Sequence, residues 1–490
     1  MSAEIVGAEG LTLAALLTPW IGAPLIWLAR GNPNRREAVT LITAVVLVGL
    51  VLALYELVAA GARPTLTLVD PLPGLAIAFT VEPLGMLFAL IASGLWLVTS
   101  VYSIGYMRGH HEENQTRFYI FFALALGATI GLAFSGNLLT LFIFYEALTL
   151  STYPLVTHHG DEAARAGGRT YLGILLSTSI GFLLLAIIVT ASYAGTLDFV
   201  PGGILAGTAP NWVLGVLLAL YVFGIGKAAV MPFHRWLPAA MVAPTPVSAL
   251  LHAVAVVKAG VFSVLKVVIY VFGIDLVAEI PMSHWLAYVA AATILIASIV
   301  ALRKDNLKAR LAYSTVSQLS YIVLGALLAD SWGIVGGAMH IATHAFGKIT
   351  LFFAAGAIYV ASGRTRVSQL RGLGRAMPIT MGAFLIGSLS IVGLPPFGGA
   401  WSKWFLLFGT LDAGQYVFMA VLLVSSLLNI FYLVSIPMRA FFSAPDPDLA
   451  GQGEAPPLCV AALVVTAAGC LALFLFPDAL YRLLLPLVGL

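Results

Sequence analysis

Charge is what this sequence has least of: Asp, Glu, Lys and Arg supply 9% of its 490 residues, against 61% hydrophobic ones. Soluble globular chains carry roughly 25% charged and 45–50% apolar residues. A water-soluble enzyme, a nucleic-acid binder and a disordered chain all need far more surface charge, so all three are excluded. Cysteine is nearly missing as well. Cys459 and Cys470 share one late apolar segment and read as small buried hydrophobes rather than a disulfide or thiolate metal site. No phosphate loop, dinucleotide fingerprint or metal-ligand spacing occurs in a plausible context, so no covalent catalytic site, cofactor or metal is expected. What remains is an integral membrane protein.

In place of charge there is apolar length. A spanning helix needs about 20 mostly apolar residues, and the runs fall near 10–30, 38–60, 82–106, 117–135, 137–157, 169–194, 212–232, 246–272, 284–302, 310–329, 333–361, 377–411, 415–440 and 457–486. The fold expected is an all-α polytopic membrane protein of about 14 transmembrane helices, with residues 1–490 forming one membrane-embedded domain. The N-terminus MSAEIVGAEG is acidic, and the segment after it is long enough to span, so it reads as a first helix rather than a cleaved signal. The polar stretches around 62–80, 195–211 and 441–456 read as Gly/Pro-rich connectors.

Two spans are interrupted. The seventh meets Pro232 and the four prolines of MPFHRWLPAAMVAPTP (231–246), and the twelfth contains GLPPFGG (393–399). Proline removes a helical donor and clashes with the preceding turn, so both helices break there. They lie five spans apart, an odd number, so units over helices 4–8 (about 117–272) and 9–13 (about 284–440) face opposite ways. Broken helices in an inverted repeat commonly mark an ion or substrate site. The loop charges test the count independently. With the N-terminus outside, the inside loops collect seventeen of the 24 Lys and Arg residues, while outside segments hold Arg63 and Arg482 alone. The positive-inside rule thus puts both termini on the outer side of the membrane.

Ionisable groups at bilayer depth are costly and are functional suspects by default. Of the 21 acidic residues, 20 fall in loops or at span ends; Glu146, in the fifth span, is the exception. The bases are more numerous. Lys227 lies five residues before Pro232. Lys258 lies ~16 Å along the eighth span, with His252 before it and Lys266 beyond. Lys266 is open between snorkelling outward and joining the series. His340, His344 and Lys348 recur at i, i+4 and i+8, on one face of the eleventh span. Lys403 follows the second break, as Lys227 adjoins the first. A lone buried histidine is usually a satisfied core residue, but this stripe, with histidine titrating near neutrality, reads better as a proton relay. One buried acid and a file of buried bases over helices 5, 7, 8, 11 and 12 conducts protons. An organic-solute transporter would instead want one central pocket.

The stretch from about 80 to 410 resembles the antiporter-like subunits shared by respiratory complex I, membrane-bound hydrogenases and the multisubunit Mrp cation/proton antiporters. The resemblance rests on FYEALTL around Glu146, FGIGKAAVMPFHRWLPAAMVAPTPVSALLHAVAVVKAGVF (223–262), RKDNLKARLAYSTVSQLSY (303–321), HIATHAFGKITLFF (340–353) and GLPPFGGAWSKW (393–404). It implies fourteen helices in two inverted five-helix repeats. It makes Glu146 and Lys227 a coupled pair, Lys258 the central lysine with His252 beside it, His340, His344 and Lys348 the connecting relay, and Lys403 the terminal residue. Within the family the chain looks most like the D-type subunit of Mrp antiporters, from 102–155 and from GGAWSKWFLLFGTLDAG (398–414). The complex I subunit of similar length typically has glutamate where Lys403 stands, and the largest one adds a lateral C-terminal helix beyond the point matching Leu490. This branch implies Mrp A, B, C, E, F and G type partners and exchange of Na⁺ or K⁺ for H⁺. The alternative is the same device as a proton-pumping subunit of a complex I-like or hydrogenase-type oxidoreductase, and related chains also serve inorganic-carbon uptake. One buried carboxylate is thin support for a sodium site, since hard cations want clustered oxygens.

Overall fold

A computed structural model describes residues 2–70, 75–444, 449 and 452–489. Among the described residues, eleven helices are long and apolar enough to cross a bilayer. In chain order α1 (Ser2–Leu28), α2 (Pro33–Ala59), α3 (Pro83–Gly109), α4 (Gln115–Ala133), α5 (Leu138–Val156) and α6 (Glu162–Ala194) precede the first interrupted helix, α7 (Asn211–Gly224). Then follow α8 (Thr245–Phe272), α9 (Pro281–Arg303), α10 (Leu307–Leu327), α11 (Ser331–Ser362), the two pieces of α12 (Pro378–Val392 and Gly399–Asp412), α13 (Tyr416–Phe442) and α14 (Pro457–Leu475). The three crossings beyond the eleven are the two broken helices and α10, whose Ser314, Thr315, Ser317, Gln318 and Ser320 lower its hydropathy although all are buried.

Two cavities agree with the alternation. One, of 540 Å³, is lined by Arg63, Glu82, Ser135, Phe199, Lys266, Asp275, Ser331 and Val488, which come from the α2–α3, α4–α5, α6–α7, α8–α9 and α10–α11 junctions and the segment after α14. The other, of 200 Å³, is lined by Glu112, His159, Val242, Lys308 and Arg364, from the α3–α4, α5–α6, α7–α8, α9–α10 and α11–α12 junctions. A miscounted helix would mix these sets.

Three details differ from the sequence expectation. The 62–80 connector holds an antiparallel hairpin of β1 (Thr65–Val69) and β2 (Ile77–Thr80), paired Thr65 to Thr80 and Leu66 to Phe79. Thr and other β-branched residues fit a pleated surface, and Thr80 N–H donates to Phe134 O at 2.7 Å, anchoring the hairpin on the α4–α5 turn. Residues 71–74 of that connector, and 445–448, 450 and 451 of the 441–456 connector, lie outside those described. The last span stops at Leu475, short of 486, because Phe476 leaves the helical region (φ −126°, ψ 56°) and Pro477 opens a separate short helix, Pro477–Leu484. Finally, α8 is not a plain α-helix. Its π turns at Leu250–Val254 and Val268–Phe272 flank the segment carrying Lys258 and Lys266, and such turns recur at functional sites.

The break in α7 is a packing feature. After Gly224 the chain leaves the helix at Ile225 (φ −78°, ψ 60°), makes a single 3₁₀ turn at Gly226–Ala228, and passes through left-handed Ala229. Gly260 of α8 lies directly against it: a Cβ there would sit 2.2 Å from Ala228 N and 2.3 Å from Lys227 C. Gly260→Ala should therefore lower stability by roughly 1–3 kcal/mol through overpacking, seen as a lower midpoint of thermal unfolding. Gly173→Ala on α6, where a Cβ meets nothing within 4 Å, should leave that midpoint in place.

Candidate functional site

Lys227 stands in the 3₁₀ turn, fully buried. Its ammonium donates to Tyr145 O at 2.8 Å and Thr149 Oγ1 at 2.6 Å, over the face of the Tyr145 ring. Its backbone N–H donates to the Tyr145 hydroxyl at 3.1 Å, tying the break to α5. Glu146 is not in this contact. Both carboxylate oxygens are buried without a hydrogen-bond partner, and no cation among the described residues lies within 4.0 Å of them. The Glu146–Lys227 pair that the resemblance implies is therefore not a direct contact. The reason is helical geometry: Tyr145 and Thr149 share the face that meets Lys227, and Glu146 is rotated about 100° from Tyr145. Its own stripe carries Ile143, 39% exposed, and Leu150, 57% exposed.

In the second half the bases come together more directly. Lys258 Nζ lies 2.5 Å from His344 Nδ1. The His344 and His340 rings are 5.7 Å apart, and His340 contacts Ser402 Oγ through Nδ1 (2.9 Å) and Gln318 Oε1 through Nε2 (3.2 Å). Lys348 leaves this stripe sideways, donating to Ser314 Oγ at 2.6 Å on α10. The three residues thus share a face of α11 but reach three different helices. The His252 ring lies tilted against Phe352, centroids 4.5 Å apart, with both ring nitrogens unpartnered. Lys403 lies four residues into the helix after the second break, not in the break as Lys227 does. It reaches back to Val392 O (3.1 Å), the last carbonyl before the break, and to Ser426 Oγ (3.0 Å) on α13. No hydrogen bond directly joins the Lys227 group to Lys258, although Gly260 brings the two backbones into contact.

Sequence reasoning puts Glu82 at a span end and leaves Lys266 open. The two form an ion pair (3.3 Å) within the larger cavity wall. Glu82 caps α3, accepting from Leu84 N (2.7 Å) and Gly85 N (2.8 Å), and also from the Tyr270 hydroxyl (2.9 Å); Lys266 also donates to Ser135 O at 2.8 Å. So Lys266 does not snorkel. The signal in the sequence is Glu82 directly before Pro83, a capping residue ahead of a first-turn proline.

At the opposite end, His110 Nδ1 and His159 Nε2 approach the Glu112 carboxylate at 3.1 and 3.4 Å. Burial alone would raise the Glu112 carboxyl. The hydrogen bond from His159, with the nearby rings of His159, His110 and His158, outweighs it and holds Glu112 below the usual glutamate range. The same hydrogen bond leads in raising His159, whereas burial, then Arg117, pushes His158 down to about 4. Among the described residues no cluster of three His, Cys, Asp or Glu could hold a metal.

These features define a polytopic membrane protein with a polar file in its apolar interior. A family model described as NADH:quinone oxidoreductase/Mrp antiporter, TM, matches residues 135–429, and one for the complex I chain 5 N-terminus matches 74–119. NADH-quinone oxidoreductase subunit N of Desulforudis audaxviator is 33% identical over 389 residues, covering 79% of this chain and 77% of that one. Subunit L of Mycobacterium tuberculosis is 30% identical, covering 86% and 67%. The chain spans only 50% of the Picosynechococcus NAD(P)H-quinone oxidoreductase chain 5, at 32% identity. By fold it matches a chain of the Mrp complex from Dietzia (TM-score 0.87, 24% identity, 98% and 97% of the two chains) and one of an archaeal membrane-bound sulfane sulfur reductase (TM-score 0.82, 22% identity, 98% and 96%). The chain belongs to the NADH:quinone oxidoreductase/Mrp antiporter family and is one of its antiporter-like membrane subunits.

Two outcomes follow from these contacts. Glu82→Gln strands a buried ammonium and should cost roughly 3–5 kcal/mol, read as thermal unfolding in detergent; adding Lys266→Met should restore much of it. For the Glu112–His159 contact, the lowered carboxyl stabilises above the ordinary glutamate value and is lost as pH falls through the lowered one. The raised imidazole stabilises below the ordinary histidine value and is lost as pH rises through the raised one. The contact contributes most at roughly pH 4.5–6.5, so amide-exchange protection over residues 110–114 and 158–160 should fall above that window, and His159→Gln should flatten the dependence.

Proposed function

We propose that the chain is a proton-translocating membrane subunit of a multisubunit monovalent cation/proton antiporter of the Mrp type, resembling the D-type subunit. The observation that carries this reading is the set of four buried lysines, Lys227, Lys258, Lys348 and Lys403, each resting on hydroxyl, carbonyl or imidazole groups rather than on a carboxylate. A carboxylate partner pins a charge in place, whereas an imidazole or hydroxyl can accept a proton and hand one on. Protons pass between Lys258 and His344 and along the His340–His344 stripe toward Lys403. Glu146 acts on Lys227 electrostatically, so that loading one site biases the next.

The exposed stripe beside Glu146 supports a neighbouring membrane subunit there, with Mrp A, B, C, E, F and G type chains as the partners. The sodium or potassium path lies with those partners, because no oxygen cluster gathers around Glu146. The setting is the bacterial inner membrane, with both termini outside and the arginine-rich loops in the cytoplasm.

The relatives named as quinone oxidoreductase subunits favour a second reading, in which partner subunits carrying redox centres drive the same file. Co-purification and identification of bound subunits separates the two: small subunits without redox groups support the antiporter, flavin or iron–sulfur subunits the pump. In either complex, Lys227→Ala should abolish proton flux into proteoliposomes while assembly persists. Undiminished flux in that variant refutes the relay.

A further inference from the structure

His340 is held differently from the other two interior histidines. His252 has no partner on either ring nitrogen among the described residues, and His344 has one, Lys258, on Nδ1. His340 has both nitrogens engaged. Nε2 lies 3.2 Å from Gln318 Oε1 on α10, and Nδ1 lies 2.9 Å from Ser402 Oγ on the second piece of α12. Gln318, His340 and Ser402 are all buried. Thr343 Oγ1, about one turn along α11, lies 2.9 Å from the same Ser402 oxygen, and the Ser402 hydroxyl also reaches Gly399 O at 3.2 Å. The charged and titratable groups facing His340 are Tyr321 from α10, whose ring stacks on it at 5.7 Å, His344 and Lys348 on α11, Lys258 from α8 and Lys403 from α12. Among the described residues the hydrogen bonds of the ring go to Gln318 and Ser402, and no carboxylate is in contact with it.

Counting hydrogens on these bonds gives each partner a separate task. An amide oxygen only accepts, so Nε2 carries a hydrogen. A neutral imidazole has just one, which leaves Nδ1 a bare lone pair, and the Ser402 hydroxyl donates to it. Protonation at Nδ1 reverses that need. Both nitrogens are then donors, and the Ser402 hydrogen has to point elsewhere. Gly399 O stands within reach to accept it. Thr343 donates to Ser402 Oγ in either state, because a hydroxyl oxygen has two lone pairs. A histidine that merely filled space would need the first arrangement and would have no use for the second.

We propose that Gln318 and Ser402 are positioning residues for proton transfer through His340: Gln318 fixes the tautomer so that Nδ1 takes the proton, and the Ser402 hydroxyl swings from Nδ1 to Gly399 O as the proton arrives. This rests on the proton-relay reading above. The proton comes from another member of the relay, so one N–H bond forms at Nδ1 as one breaks at the group that gives it up, and the hydroxyl turns over without breaking a bond. Neither charge state leaves a ring nitrogen unpaired in the apolar interior, where an orphaned polar group is costly. Gly399 opens the half-helix that carries Lys403, so the charge on His340 decides whether that end of the break receives the Ser402 hydrogen bond.

The test uses the assembled complex in proteoliposomes, with proton flux followed by a pH-sensitive dye and the tautomer read by ¹⁵N NMR of labelled histidine rings, the His340 signals being those lost in His340→Gln. In the parent, neutral His340 should show a protonated Nε2 and a bare Nδ1. Gln318→Met, which removes the acceptor at similar size, should turn the ring over to the Nδ1–H form. Ser402→Ala should keep the Nε2–H form yet lose about tenfold in flux, the order of one buried hydrogen bond left unmade, with assembly unchanged. Ser402→Thr keeps the hydroxyl and should stay within about twofold of the parent. A parent that moves protons with His340 in the Nδ1–H form, the tautomer that an amide turned the other way would impose, overturns the switch alone. So does parental flux in Ser402→Ala. A parent complex that moves no protons overturns the relay reading and the switch with it.

Discussion

An ammonium group in the interior of a bilayer-spanning bundle has no water to fall back on, so every buried lysine must be given polar neighbours by the fold. The irregular features of the structure follow from that demand. Lys227 takes a carbonyl and a hydroxyl from α5 because α7 breaks and turns its backbone toward Tyr145. Lys403 reaches the carbonyl that the α12 break leaves free at Val392. At the C-terminal end of a half-helix that carbonyl is also where the helix dipole favours a cation.

The choice of neighbour divides the lysines into two kinds. Lys266 has a carboxylate, Glu82, already held by two backbone N–H groups and a tyrosine hydroxyl, and this fixes α8 to the start of α3. It is a structural pair at the wall of a cavity. The other four have only groups able to exchange or orient a proton. Glu146, the one acid deep in a span, stands apart from both kinds. Its carboxylate is buried yet unpartnered among the described residues, on a stripe whose neighbours are exposed. A buried, unsatisfied carboxylate is expensive in isolation, and a neighbouring subunit would supply what the chain lacks.

Much of this is legible in the amino-acid order alone. Fourteen crossings, their alternation and both breaks can be read there because hydrophobic length, proline and loop arginines act locally. The family shows in the segments around Glu146, Lys227, His340 and Lys403. The β1–β2 hairpin is hidden in a stretch too short to display a clear period, and α10 is legible only through its flanks, since its interior serines and glutamine lower its hydropathy.

Which ionisable groups enter the membrane, and on which helices, follows from the amino-acid order, because insertion depends on composition along the chain. Which of them meet is a matter of helix packing. The fold leaves Glu146 about 100° around α5 from Tyr145, the residue that Lys227 contacts, joins Lys258 to His344, pairs Lys266 with Glu82 across 184 positions, and brings together serines that no spacing rule connects. The physical reason is that a hydrogen bond is fixed within a few tenths of an ångström, and that precision comes from how helices pack, not from where residues fall in the chain.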